Sequence, residues 1–206
     1  MKKIKKIAFY LLAIFATLIV LYPTSYLKED RKFGLLQYKS DLLLADTLWN
    51  WMFYIHIICG AIALLIGWIQ FHKKTRIKYM QLHRNIGKIY VVTVLISAVS
   101  GLYIAHFATG GLFAVYGFVI MSLIWFFTTL FAFLAIKKGA VLKHQKLMIY
   151  SYATCFAAVT LRIWLPIMAV IFKDFVKAYT ITAWLSWVPN IIVAYFMSRK
   201  LVQKKE

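Results

Sequence analysis

HKKTRIKYMQLHRNIGKIYVVTVLISAVSGLYIA (72–105) decides the fold. Its first half is strongly basic and its second half is almost uninterruptedly apolar. Roughly 20 mostly apolar residues suffice to cross the hydrocarbon core of a bilayer. Lys and Arg that stop where such a run begins mark the edge of the membrane. The stretch therefore reads as a loop feeding a membrane helix, with His83 and Arg84 at the threshold.

The rest of the chain follows the same pattern. Its 206 residues are 63% hydrophobic and only 15% charged, with a mean hydropathy of +0.76. A soluble domain carries about 25% charged residues, so there is too little polar surface to coat a globule. A net charge of +19 points to nucleic acid only when the basic residues share a soluble face. Here they lie between apolar runs, which excludes that partner and makes the lipid bilayer the expected surroundings. The expected fold is all-α: a single polytopic membrane bundle spanning 1–206, with six spans at about 7–26, 48–71, 83–107, 112–136, 147–171 and 178–198. The first span is either a signal peptide or a retained anchor. The lack of a small-x-small site before Tyr22-Pro23 favours the anchor. Pro23, Pro166 and Pro189 are expected to end or kink helices.

Most of the 25 Lys and Arg residues fall on one side: near the N-terminus, in 73–88, in 137–146 and in the C-terminal tail. By the positive-inside rule both termini face the cytoplasm, which places the chain in a bacterial inner membrane. Cys59 and Cys155 sit in apolar segments far apart, so neither a disulfide framework nor a zinc motif is expected.

Ionisable residues inside spans are costly and face the bundle interior or a cavity. His83 opens the third span and His144 precedes the fifth at the same level. LHRNIGKIY (82–90) and KHQKLMIYSY (143–152) are faintly alike, which suggests two related hairpins. His144, Met148, Ser151, Cys155, Ala158 and Arg162 recur at helical spacing and make one face. Along it His144 and Arg162 are roughly 27 Å apart by helical rise. His56, Gly60, Ala63 and Gly67 make a second stripe. Its small residues either let helices approach closely or leave room for a flat cofactor.

Two candidate sites result: an inner one of His83 with His144, and an outer one of His56 with Arg162, with His106, Tyr116 or Met121 nearby. Paired imidazoles hold b-type haems in helical bundles, and a methionine can replace one of them. Each residue also has a plainer reading. His83 and His144 can serve as interfacial hydrogen bonders, His56 as a satisfied core histidine, and Arg162 as a partner of Asp46 or Asp174. His106 reads as an interface residue, and Trp49, Trp51, Trp184 and Trp187 as an outer aromatic belt. Gln70 and Asn190 read as helix glue.

FYIHIICGAIALLIGWIQF (53–71), LHRNIGKIYVVTVLISAVSGLYIA (82–105), HQKLMIYSYATCFAAVTLRIWLP (144–166) and AWLSWVPN (183–190) resemble the predicted integral membrane family called domain of unknown function 2306. The resemblance implies that His56, His83, Arg84, Gly87, Tyr90, His144, Arg162, Trp184, Trp187, Pro189 and Asn190 occupy motif positions of that family. It implies no activity. At the level of fold it points to di-haem cytochrome b bundles of the b-561 type, although only the inner histidine pair is complete.

The leading expectation is a small b-type cytochrome-like protein. His83 and His144 would be the iron ligands of haem b, and His56 and Arg162 would form an outer haem or quinone site. Electrons would pass between a quinol and a redox partner. Two other classes stand beside it: a non-redox transporter or small-molecule-binding membrane protein, and a structural or assembly factor. Whether the protein is an enzyme stays open.

Overall fold

The computed structural model describes Tyr10, residues 13–19 and residues 34–203, without the side chains of 73, 74, 202 and 203. Among these residues there are helices and no strands. The α-helices are α1 (Asp41–Ala45), α2 (Thr47–Gly67), α3 (Lys73–Lys78), α4 (Met80–Ala105), α5 (Gly111–Lys137), α6 (Val141–Cys155), α7 (Ala157–Phe172), α8 (Phe175–Leu185) and α9 (Val188–Gln203). Two 3-10 turns, Gly34–Tyr38 and Trp68–Phe71, precede α1 and extend α2.

Five segments are long and apolar enough to cross a membrane: Thr47–Phe71, Met80–Ala105, Gly111–Lys137, Val141–Phe172 and Phe175–Leu201. They are the second to sixth expected spans. Of the expected first span, residues 13–19 are helical, and Ala16 and Ile19 pack against the bundle core. The rest of 7–26, and with it the question of cleavage, lies outside the described residues.

Local chemistry fixes where the spans start and stop. The Asp46 carboxylate accepts the Trp49 N–H at 2.6 Å and caps α2. Asp174 does the same for Lys177 at 3.1 Å and caps α8. Each cap satisfies a donor that has no intrahelical partner. Gly110 (φ +99°) opens α5, and Gly139 (φ +72°) closes the turn after it, a left-handed conformation that a Cβ disfavours.

Four helices form a ring in the order α2, α4, α5, α6 and back to α2, so α4 and α6 face each other across the middle. The α7–α8 hairpin packs along α5, and α9 lies on α6. Lipid provides little hydrophobic drive between helices, so close packing and interhelical hydrogen bonds hold them together. At the centre the Tyr90 and Ser151 hydroxyls are 2.8 Å apart and the Ser151 and Thr129 hydroxyls 2.6 Å apart, joining α4, α6 and α5. Around them pack Leu64, Val94, Trp125, Tyr152 and Val159.

Two spans are broken near one another. The fifth is interrupted at Phe156, between α6 and α7, and the sixth at Ser186–Trp187, between α8 and α9. The first break does not fall at an expected proline, whereas the second lies just before Pro189, which cannot bond the Leu185 carbonyl where α8 ends. Pro166 lies inside α7, and Pro189 is the second residue of α9, where its missing N–H costs nothing. The Asn190 amide donates to Ala153 O (3.2 Å), Thr160 Oγ1 (3.1 Å) and Ser186 O (3.0 Å), pinning the two breaks to each other. Asn190 is therefore helix glue, as its residue type suggested.

Candidate functional site

A cavity of about 220 Å³ lies in the half of the bundle away from the basic loops. Its walls are Phe53, His56, Gly60 and Leu64 of α2, Gly101 and Ile104 of α4, and Met121, Ser122 and Trp125 of α5. Cys155 of α6 and Ala158, Leu161 and Arg162 of α7 also line it. An engineered apolar cavity of about 150 Å³ takes up one benzene ring, so this one is large enough for a substituted single ring. It falls below the roughly 300–1,000 Å³ of drug-sized ligand sites and is tight for a haem.

His56 is held in one orientation. Its Nδ1 lies 2.8 Å from the Ser97 carbonyl. A carbonyl can only accept, so Nδ1 carries the proton and Nε2 is the nitrogen left for the cavity. The Ser97 hydroxyl donates back to the His56 carbonyl at 2.9 Å. Gly101 makes this possible, because a Cβ there would lie 2.9 Å from both Cε1 and Nδ1 of the ring. Arg162 presents its guanidinium from α7, with Nη1 donating to Ala158 O at 2.7 Å. Among the described residues, none that lines the cavity is acidic. Asp46 and Asp174 act as the helix caps already described, and Asp174 also meets Lys177 at 3.8 Å.

The other outer candidates separate. Met121 shares the cavity with His56, but Tyr116 is exposed. His106 faces outward and bonds the Leu102 carbonyl of its own helix at 2.8 Å. The expected continuous stripe on the fifth span is cut at Phe156. Even so, both Cys155 before the break and Arg162 after it reach the cavity.

Sequence reading missed three contributors. Trp49 is not a belt residue: it is 2% exposed, lines the cavity, and packs with Leu36 and Leu44 under the 34–46 segment. Its indole N–H is buried with no hydrogen-bond partner among the described residues. Trp187 is buried too, whereas Trp51 is exposed as a belt residue should be. The 34–46 segment is a lid, and its Tyr38 ring stacks on Phe175 at 3.6 Å. Lys39 of that lid lines the cavity and donates to Phe107 O and to Thr109 Oγ1, the latter at 3.0 Å. The two leucine clusters of GLLQYKSDLLLA (34–45), outside any expected span, were the signal available for it.

Burial pushes the Lys39 ammonium down to about 8 from 10.5. Between those values the unfolded chain holds a proton that the folded chain has released, so stability rises with pH there. Below pH 8 the lysine is charged in both states and the burial penalty is felt in full. Thermal unfolding in detergent should show a rise in Tm from pH 7.5 to 10 that is blunted in Lys39→Gln. Equal slopes for the two proteins would contradict the assignment.

At the basic end, His83 and His144 stand on the two helices that face each other. Each lies seven residues before its member of the Tyr90–Ser151 pair, hence level, roughly 10 Å from that pair. They are within electrostatic range of one another. His144 Nδ1 donates to the Ala132 carbonyl at 2.9 Å, an anchoring that orients metal-binding histidines. His83 Nδ1 is buried with no partner among the described residues. Gln70, expected to be helix glue, is 7% exposed and its Nε2 likewise has no partner there. Its Oε1 lies against Gly87 of α4, where a Cβ would come to 3.5 Å from it. No group of three or more His, Cys, Asp or Glu that could hold a metal ion occurs among the described residues.

The family model described as a predicted membrane protein (domain of unknown function 2306) matches residues 53–198. No curated protein and no solved structure matches the chain.

Proposed function

The chain belongs to this family of predicted membrane proteins, and on that footing we propose that it binds a small single-ring ligand of the quinol class in the cavity between His56 and Arg162. One observation carries the reading: a ring-sized apolar cavity has two fixed polar groups of opposite character on its walls. His56 Nε2 accepts from a ligand hydroxyl, and the neutral imidazole can take its proton. The guanidinium donates to a carbonyl or phenolate oxygen. The positive-inside rule directs the basic end to the cytoplasm, which puts the lid and the cavity mouth on the outer side of an inner membrane.

Binding of a short-chain benzoquinol to the purified protein, followed by thermal shift, tests this. His56→Gln and Arg162→Gln should each weaken it at least tenfold. Octanoate binding more tightly than the quinol would replace the ligand class with a simple anion, and absence of quinol binding would overturn the proposal.

The haem b reading rests on the basic end, where the anchored Nδ1 of His144 leaves Nε2 as the nitrogen that could ligate iron. Haem held there would supply one-electron transfer. A reduced-minus-oxidised spectrum of protein from haem-replete cells decides it. Bands that disappear in the His83→Ala, His144→Ala double variant establish the pair, and absence of bands after haem titration removes it.

A further inference from the structure

On the quinol-class reading of the cavity, we infer that the ring it binds carries a carboxylate, received by Lys39 of the lid. Lys39 lines the same cavity as His56 and Arg162, beside Leu35 and Leu36 of the lid. An ammonium has three N–H donors. Two of them are taken by Phe107 O and Thr109 Oγ1 beyond the end of α4, and both of these acceptors are neutral. One donor and the full positive charge remain on the cavity wall.

That charge has no counterion in place. Among the described residues no acid lines the cavity, and burial acts on the ammonium with no opposite charge to offset it. A charge taken out of water without a partner costs free energy. A carboxylate on the ligand would remove that cost and make a charge-assisted hydrogen bond, the stronger kind.

The depth suits a single ring. The His56 imidazole lies against Gly101, where a Cβ would come within 2.9 Å of it. Lys39 bonds Phe107, which follows Gly101 by nearly two helical turns. At the rise of a helix that is roughly 9 Å, the order of one benzene ring with a substituent at each end. Phe53, Ile57 and Ile104 give the cavity the apolar wall a ring requires. One molecule can then offer a hydroxyl to His56 Nε2 and a carboxylate to Lys39. The ligand class narrows from a quinol to a hydroxylated aromatic acid.

The test uses the full chain in a neutral detergent at about pH 7, where ammonium and carboxylate are both charged. Kd is measured for 2,5-dihydroxybenzoate, its methyl ester and the short-chain benzoquinol. The acid should bind at least about tenfold more tightly than the ester, as expected for one hydrogen bond between charged groups. Lys39→Gln should bring the acid down to the affinity of the ester, and Lys39→Arg should keep the preference. His56→Gln should weaken acid and ester alike.

Equal affinities of acid and ester in the wild type would overturn the inference and leave the quinol-class reading standing, since the ester still binds. Failure of all three compounds to bind would overturn both. A parallel loss of acid and ester in Lys39→Gln would also overturn the inference, because Lys39 would then act only by holding the lid.

Discussion

Gly67→Ala is expected to destabilise the bundle by about 3 kcal/mol, the upper end of what overpacking one methyl group into a filled core costs. A Cβ at Gly67 would sit 2.5 Å from Tyr152 Cδ2 and 2.8 Å from Tyr90 Cε2. Neither ring has room to yield. The Tyr152 hydroxyl is tied to the Leu64 carbonyl at 3.2 Å, and Tyr90 is fully buried and bonded to Ser151. Displacing them disturbs the centre where α4, α5 and α6 meet. Gly87→Ala gains the helix propensity of alanine without a clash, so its stability should equal or exceed that of the wild type. Thermal unfolding of the two variants in one detergent makes the comparison, and similar Tm values for both would show the central packing to be wrongly described.

Asn190→Leu comes next, with an expected loss of about 2 kcal/mol. The side chain supports two helix breaks, and leaving one buried acceptor unmet costs about 1–3 kcal/mol. Two considerations reduce the total below the sum over three acceptors. Thr160 Oγ1 also donates to Ser186 O, so that carbonyl keeps a partner. Interhelical hydrogen bonds in membranes also average only about 0.6 kcal/mol, since the unfolded state finds substitutes. The specific signature is local. Amide exchange should accelerate around 156–160 and 186–190 while the centre of α4 stays protected. Uniform acceleration, or none, would contradict the role of Asn190 as the tie between the breaks.

Five spans were legible because apolar length and flanking charge are strong, local signals. The widest boundary error was at the fifth span, expected from 147 but helical from Val141. Its first turns carry Lys143, His144 and Lys146, which a hydropathy reading assigns to the loop. The break at Phe156 lies ten residues before the proline that seemed able to cause one. Thr154 bonds the Tyr150 carbonyl of its own helical turn at 3.0 Å. Such back-bonding bends helices, so a signal was present but weak. The small-residue stripe on α2 left two readings open; at Gly67 the aromatic rings settle it as close packing.

At the candidate site, His56 and Arg162, paired in the sequence by shared depth, both line one cavity. The partner of His56 was beyond the sequence, because the Ser97 carbonyl is a backbone atom on another helix. The contributions of Lys39 and Trp49 depend on how the lid folds back, and helical periodicity says nothing about that. Gln70 shows a related limit: its residue type suggests hydrogen bonding, while only the packing shows that its Nε2 has no partner among the described residues.

The most direct test of the central claim is the affinity of a short-chain benzoquinol for the wild type and for Ala158→Phe. Ala158 lines the cavity one turn from Arg162, and a phenyl ring placed there fills the space while leaving both polar groups intact. One saturable site in the wild type, weakened at least tenfold in Ala158→Phe, is the result this account predicts. Undiminished binding in the filled variant, with its fold preserved, would contradict it.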